Sequence, residues 1–278
     1  TQQANLANGV LEDMVKKYQF DGILLAGCEN PDGEAAFADY MLYGGGRTYQ
    51  QYMEDNAAML VTAAKEVVSK YAQNTQVGLL TDGVWAAASQ QEGGLEITAG
   101  FTALETDRLN SKALAEQQAV DFVAVRNYGS TTDPAAPFTT VAKWWDQQAQ
   151  ETGLPVYMVH GANRACTTEN PGWSAHDQLT RQVISLEECS NLQGSIFNSL
   201  ASLSANPKNS TTLLQDYYSN NVKAEHILKE LTFTRPTQLQ ISTTDKTYTF
   251  QGASDPNSPV TMDGQTVETD ENGFFSVT

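Results

Sequence analysis

The sequence predicts an α/β protein, a parallel sheet of about five βα units covered by helices on both faces, with a small all-β module at its carboxyl end. Five apolar segments that end in polar residues carry the first part of that reading: 22–27 (GILLAG), 77–83 (VGLLTDG), 122–128 (FVAVRNY), 155–161 (PVYMVHG) and 194–200 (GSIFNSL). Their starts lie 33 to 55 residues apart, leaving room for a helix between each pair. Near-continuous apolar strands joined by helical crossovers form a parallel sheet covered on both faces. The other two observations are helical periodicity between the strands and a composition shift at Phe233.

Residues 5–18 repeat Leu6, Val10, Leu11, Met14 and Val15 at helical spacing and lead straight into the first strand. Residues 28–48, with Pro31, Asp32, Gly33 and three glycines at 44–46, read as a long loop. Residues 49–71 follow as an amphipathic helix with Met53, Ala57, Leu60, Val61, Ala64, Val67 and Val68 facing inward. A second long loop, 84–106, contains Gly93 and Gly94. Helices are expected at 109–119, at 138–152 with Trp144 and Trp145, and at 174–188 with Ser174 as N-cap. A helical pair is expected near 211–229. From Pro236 the residues are mostly Thr, Ser, Gln, Asp and Gly, and apolar positions alternate as Leu239/Ile241, Tyr248/Phe250, Val260/Met262 and Phe275/Val277. Asp255-Pro256, Asp263-Gly264 and Asn272-Gly273 supply the turns of an antiparallel module. The predicted division is a βα portion at 1–232 and a β-module at 236–278, short for a complete sandwich and linked near 233–236.

Composition excludes some functions. With 33 acidic against 16 basic residues and a formal charge of −17, no Lys/Arg cluster exists to neutralise phosphates, which argues against nucleic-acid binding. Cys28, Cys166 and Cys189 are too few and too unevenly spaced for a disulfide framework or a zinc site. No run approaches the ~20 apolar residues needed to span a bilayer. The chain begins at Thr1, as expected of a mature or excised fragment, so a missing signal peptide carries no information about compartment. No Ser-His-Asp order, Gly-rich phosphate loop or HExxH motif is present, and neither a metal nor another cofactor is expected.

Seven short motifs occur in order over residues 1–203: Phe20-Asp21-Gly22-Ile23, Asp55-Asn56, Gly83-Val84-Trp85, Val120-Asp121-Phe122 with Tyr128, Trp144-Trp145, Gly172-Trp173, and Gly194-Ser195-Ile196-Phe197. In these the chain resembles the carboxyl-terminal part of the bacterial glycoside-hydrolase-like (β/α)₈ barrels of the peptidoglycan glycosidase type. The resemblance implies a secreted or cell-surface protein with a polysaccharide ligand and a tail that is a short Ig-like module. It also implies that the α/β part is a partial parallel (β/α) barrel whose strands one to three lie outside this chain. Five parallel strands alone would leave open edges, so the fragment is expected to keep an open, edge-protected sheet, to pair with a second copy as a homodimer, or to have lost its partner half. Two departures stand out. Where the family carries an aspartate pair followed by an aromatic, this chain has Ala26, Gly27 and Cys28, and where the family has Gln, it has Arg126. The expected consequence is impaired catalysis, or an acid supplied instead by Glu29 or Asp32.

In parallel α/β folds, ligands meet the carboxyl ends of the strands. Glycoside hydrolysis needs a pair of carboxyl groups, and the candidates are Asp82 at a strand end and Glu29. For Asp82 the competing reading is a turn residue before Gly83; for Glu29 it is a solvated loop acid. Trp85, Tyr128 and Trp173 sit in strand-end loops, where aromatic faces stack on the C–H faces of sugars or simply fill the loops. Arg126 either binds a ligand carboxylate or pairs with Asp82. His160 and Asn163 complete the substrate-binding candidates, His160 being either a general base or a hydrogen-bonded core histidine.

Overall fold

A computed structural model of the chain describes residues 2–29, 33–168, 171–221, 232–235, 244, 246–254, 260–269 and 274–278. Two compact units divide at Tyr217, the first being Thr1–Tyr217 and the second Tyr218–Thr278. In the first, α1 (Gln2–Lys17) precedes β1 (Gly22–Leu25), and α2 (Glu34–Tyr43) and α3 (Tyr49–Tyr71) lead to β2 (Gln76–Asp82). Then α4 (Ser111–Glu116) leads to β3 (Phe122–Asn127), α5 (Phe138–Thr152) to β4 (Val156–His160), and α6 (Gln178–Ser185) to β5 (Leu192–Phe197). The helices α7 (Leu200–Ala205) and α8 (Ser210–Asn221) follow.

All five strands pair in parallel, in the order β1-β2-β3-β4-β5. Each strand lies beside its predecessor with a helix in every connection, which is the order of a (β/α) barrel; a doubly wound sheet reverses part-way. The first unit is therefore five units of such a barrel. Its helix-facing side carries Leu79, Val123, Val125, Val156 and Met158, all buried with Ala57 and Val61 of α3 and Phe138, Val141 and Trp145 of α5. The long helices start and stop where local chemistry says they should. Thr48 and Gln51 form a reciprocal capping box ahead of α3, and Gly153 closes α5 in the left-handed conformation at φ 70°.

The opposite face is built in rows set by the register: Leu24, Gly78 and Phe122; then Leu80, Ala124, Tyr157 and Gly194; then Asp82, Arg126, Val159 and Ile196. Large rings lie beside glycines. Phe122 covers Gly22 and Gly78 and meets Tyr157 edge-on at 5.8 Å. Charge enters only in the last row, at the carboxyl ends.

Several elements differ from the sequence reading. The expected loop at 28–48 contains α2, none of whose side chains is buried, so it lacked the amphipathic signal that marks a helix. The helix expected at 109–119 is confined to α4, capped by the Asn110 side chain and ended by Gln118 at φ 51°. Asp177, not Ser174, occupies the N-cap position of α6. The fifth strand stops at Phe197, and Leu200 opens α7 rather than closing the strand.

In the second unit, β6 (Thr232–Arg235), β7 (Phe250–Ala253), β8 (Val260–Met262), β9 (Gln265–Val267) and β10 (Phe274–Val277) pair antiparallel. Three of them form a sheet in the order β10-β7-β6, and β8-β9 is a hairpin. Asp263 and Gly264 join the hairpin with φ of 50° and 78°, the left-handed pair that a two-residue turn requires. The composition shift at Phe233 thus falls inside β6. Leu239, Ile241 and the turns at 255–256 and 272–273 lie outside the described residues.

His160 ends β4 in the core. Its ring is fully buried, stacked between Phe138 at 5.3 Å and Phe197 at 4.8 Å. Gln182 donates through Nε2 to the Gly129 carbonyl, so its Oε1 accepts from His160 Nδ1 at 2.9 Å, and Nε2 accepts from the Ser195 hydroxyl at 2.9 Å. Burial pushes the imidazole down from 6.5 to about 4, opposed by the Gln182 hydrogen bond. The unfolded chain therefore binds a proton more readily than the folded one between those values. Stability supplied by the neutral ring is complete above pH 6.5 and lost as pH falls towards 4. All four tryptophans lie in the first unit, so their fluorescence reports it alone. Urea unfolding followed this way should show roughly 3 kcal/mol lost over that window, with a shallower slope in His160→Gln. Equal slopes would contradict the assignment.

Gly83 offers a second test. A Cβ there would stand 2.9 Å from the Arg126 carbonyl oxygen and 3.0 Å from Val141 Cγ1. The Gly83 N–H donates to that same carbonyl at 2.9 Å, and the Trp145 indole donates to the Gly83 carbonyl at 2.8 Å, so the backbone has little freedom to retreat. Gly83→Ala should cost about 1–3 kcal/mol in the same fluorescence assay, and a loss below about 0.5 kcal/mol would show that the strand end yields.

Candidate active-site cleft

The last row of the sheet places Asp82 and Arg126 side by side, in register on β2 and β3. Arg126 Nη2 donates to Glu29 Oε1 at 2.5 Å. Its Nε stands 2.7 Å from Asp82 Oδ1 but off the hydrogen-bond direction, so that leg is an ion pair only. The three side chains are only 19–28% exposed. Burial works against the guanidinium, but the two carboxylates outweigh it and hold its pKa above the ordinary value. Arg126 thus adopts the intramolecular pairing and takes Glu29, from the end of β1, as a second partner.

Asp107, in the irregular segment between β2 and α4, joins this cluster and was not among the sequence candidates. Burial pushes its carboxyl up from 3.8 to about 7, helped by the charge of Asp82, a hydrogen bond to Asp82 and the charge of Glu29, and opposed by Arg126. Cys28 lies beside the cluster. Burial, then the Glu29 charge, push its thiol up to about 11, which keeps it protonated and a poor nucleophile.

A cleft of about 390 Å³ opens beside the cluster, lined among others by Asp82, Arg126, Tyr128, Phe101, Asp133 and Arg164. Tyr128 accepts at its hydroxyl from Asn198 Nδ2 at 2.7 Å, and the Arg164 guanidinium sits 5.3 Å from its ring centre. The aromatic with a free surface here is Phe101, 49% exposed. It lies in a segment without periodicity, so no sequence pattern marks it.

Trp85, Trp173, His160 and Asn163 do not line the cleft. Trp85 is buried, stacked on Trp144 at 5.6 Å, and donates its indole N–H to Asn110 Oδ1. Trp173 is fully buried with Ala162 and Leu179 and donates to the Tyr128 carbonyl at 3.1 Å. Both find an apolar cavity and an indole acceptor inside the protein, and so stabilise loops rather than face a ligand. His160 has both ring nitrogens engaged in the core. Asn163 is exposed on the turn after β4, its backbone N–H bonded to the Asn198 carbonyl. Among the described residues, no group of three His, Cys, Asp or Glu has metal-holding geometry, and no helix is long and apolar enough to cross a membrane.

No protein-family model matches the chain. It is 24% identical over 221 residues to the glycosyl hydrolase YngK of Bacillus subtilis, covering 75% of this chain and 42% of that protein. It is 22% identical over 158 residues to the glycosyl hydrolase DigH of Escherichia coli K12, covering 54% of this chain and 35% of that protein. The chain thus spans less than half the length of these curated relatives. Among solved structures it overlays a family 1 glycoside hydrolase of Thermotoga maritima with a TM-score of 0.40 at 12% identity, covering 72% of this chain and 59% of that one. It overlays the catalytic domain of a β-amylase of Paenibacillus polymyxa with a TM-score of 0.38 at 11% identity, covering 79% and 53%. With a sequentially ordered parallel βα sheet and sequence similarity to proteins named glycosyl hydrolase, the chain has a glycoside-hydrolase-like fold.

Proposed function

We propose that this chain acts on or binds a polysaccharide through the cleft at the carboxyl ends of its strands, as a glycoside-hydrolase-like protein. The observation that carries the reading is the Asp82–Arg126–Glu29 cluster, a set of half-buried carboxylates bordering a cleft at the end of the sheet where such folds do their chemistry. Asp82 lines the cleft and is the carboxylate placed to act on a ligand; Glu29 is held across Arg126; Phe101 and Tyr128 supply the apolar surface for a sugar face. The finer reading is a bacterial wall glycan of the peptidoglycan type, met by a secreted or surface protein whose Ig-like tail holds it there. Sequence similarity to glycosyl hydrolases and an antiparallel tail support that reading. The terminal strands β1 and β5 support completion of the barrel, by further βα units or by a second copy.

A second reading has its own observation. Ala26, Gly27 and Cys28 bring no acid to the end of β1, and Arg126 engages both carboxylates, which suits a degenerate, glycan-binding protein. One experiment separates the two. The purified 278-residue chain is assayed for turnover and binding of peptide-free peptidoglycan strands, beside Asp82→Asn and Phe101→Ala. For an enzyme, Asp82→Asn should lower kcat/KM by roughly 10³–10⁴ and leave binding within a few-fold. Phe101→Ala should weaken binding by about tenfold in either case, the share of one stacking ring. Binding without turnover establishes the degenerate reading, and absence of both sinks the assignment of this cleft to glycans.

A further inference from the structure

Two guanidinium groups line the cleft, and they differ in what they hold. Arg126 is committed to Glu29 and Asp82. Arg164, on the turn after β4, is exposed. Arg47, Arg126 and Arg181 each pair with an acid, whereas Arg164 has no carboxylate partner among the described residues. The chain has 33 acidic residues against 16 basic ones, so acids to pair with it are plentiful. Left without one beside a cleft, Arg164 is open to a negative charge brought by a ligand.

The side chain is nonetheless held in place. Its guanidinium carbon lies 5.3 Å from the centre of the Tyr128 ring, and Nη1 donates to the Tyr128 carbonyl at 3.3 Å. The ring is itself fixed, because Asn198 Nδ2 donates to its hydroxyl at 2.7 Å. Gly161 admits both groups: a Cβ there would stand 3.2 Å from the Tyr128 ring and 3.5 Å from Arg164 Cδ. The backbone is anchored too. Arg164 N–H donates to the Gly161 carbonyl at 2.9 Å, and the Thr167 hydroxyl and N–H donate to the Arg164 carbonyl at 2.8 and 3.1 Å. Asn163 N–H ties the same turn to the Asn198 carbonyl at 3.0 Å. A guanidinium carries five N–H donors in one plane, so one hydrogen bond leaves most of the fork open. Holding the fork beforehand lowers the ordering cost of binding.

We propose, resting on the glycan reading above, that the glycan is acidic and that Arg164 selects it by gripping a sugar carboxylate at the Tyr128 end of the cleft. A planar fork matches a carboxylate through two parallel hydrogen bonds. A doubly charged phosphate fits less well, because Asp82 and Asp133 line the same cleft and one open cation cannot balance two charges. Asp133 does not compete for Arg164: its Oδ1 accepts from the N–H groups of Ala135 and Ala136 at 2.9 and 3.1 Å. The formal charge of −17 repels any acidic polymer, so a preference for one has to come from a local contact.

The 278-residue chain is titrated with soluble peptide-free peptidoglycan strands, and with the same strands after their carboxyl groups are reduced to alcohols. The acidic strands should bind about tenfold more tightly or better, the share of one charge-assisted contact. Arg164→Gln should erase the difference between the two strands, and Arg164→Lys, which keeps the charge without the fork, should retain part of it. A second readout needs no polymer. The Arg164 Nε–H resonance, identified by its loss in Arg164→Gln, should move on adding glucuronate and move less with inorganic phosphate. Equal affinity for the two strands overturns the selectivity and leaves the glycan reading intact. A preference that survives in Arg164→Gln overturns the role of Arg164, and a larger response to phosphate overturns the choice of carboxylate. If neither strand binds but glucuronate moves the resonance, the glycan reading fails and the carboxylate grip stands. If neither strand binds and the resonance stays still, both fail.

Discussion

The site depends on one guanidinium. Arg126 stands in the last row of the parallel sheet and draws in Glu29 from beyond β1 and Asp82 from β2, so three successive strand ends are tied by a single charge. A planar group with several fixed donors suits this task better than an ammonium would. Removing Arg126 would leave the two half-buried carboxylates without their counter-charge, a loss that is costly away from bulk water. The carboxylates are therefore positioned by the same interaction that makes Arg126 tolerable at the end of an otherwise apolar strand. A chain with a formal charge of −17 places one of its few cations where it controls the geometry of its acids.

How much of this the sequence announces depends on whether a residue belongs to a periodic pattern. The strands β2, β3 and β4 are legible almost to the residue because apolar runs such as Val123, Ala124 and Val125 stop at a polar residue. The helices α3 and α5 are legible to their last residue because each buries one stripe between clear stop signals. The two residues that most change the site, Phe101 and Asp107, lie in a long irregular segment where neither period applies. Burial first, then the charges of Asp82 and Glu29, raise the Asp107 pKa against the opposing pull of Arg126, and none of these is written in the local sequence. The helix α2 escaped for the opposite reason: Phe37, Met41, Leu42 and Tyr43 are apolar and exposed, so composition and burial disagree.

The aromatic candidates show a related limit. A tryptophan after a strand satisfies two requirements at once when buried: a large apolar surface removed from water and an indole N–H with an acceptor. Trp85 and Trp173 both meet them internally, at Asn110 and at the Tyr128 carbonyl. Those contacts hold the loops that carry the cleft, so the residues serve the site without facing it. His160 behaves likewise. Stacked between two phenyl rings with both nitrogens satisfied, it joins Gln182 and Ser195 into a polar link between β4, α6 and β5 that leaves no donor exposed.

The electrostatics of the cluster are finally set by which face of the sheet it occupies. Asp82 and Arg126 share that face with Leu24, Leu80, Phe122 and Tyr157, the side turned away from the helices. Leu24, in the first row of that face, is 38% exposed, so water reaches the face that carries the charges. Coulombic coupling weakens as the surrounding dielectric rises, and the shifts at Asp107 and Arg126 already develop in this partly wet setting. Any surface that covers the face removes water from both the apolar rows and the charged row above them. Burial of the rows is favourable at roughly 25 cal/mol per Å² of apolar area. Desolvation of the charged row then strengthens the hold of Arg126 on its carboxylates and raises the proton affinity of Asp107 further. Covering this face and tuning the acids are in this sense the same physical event, because Leu80 and Asp82 are two residues apart on one strand.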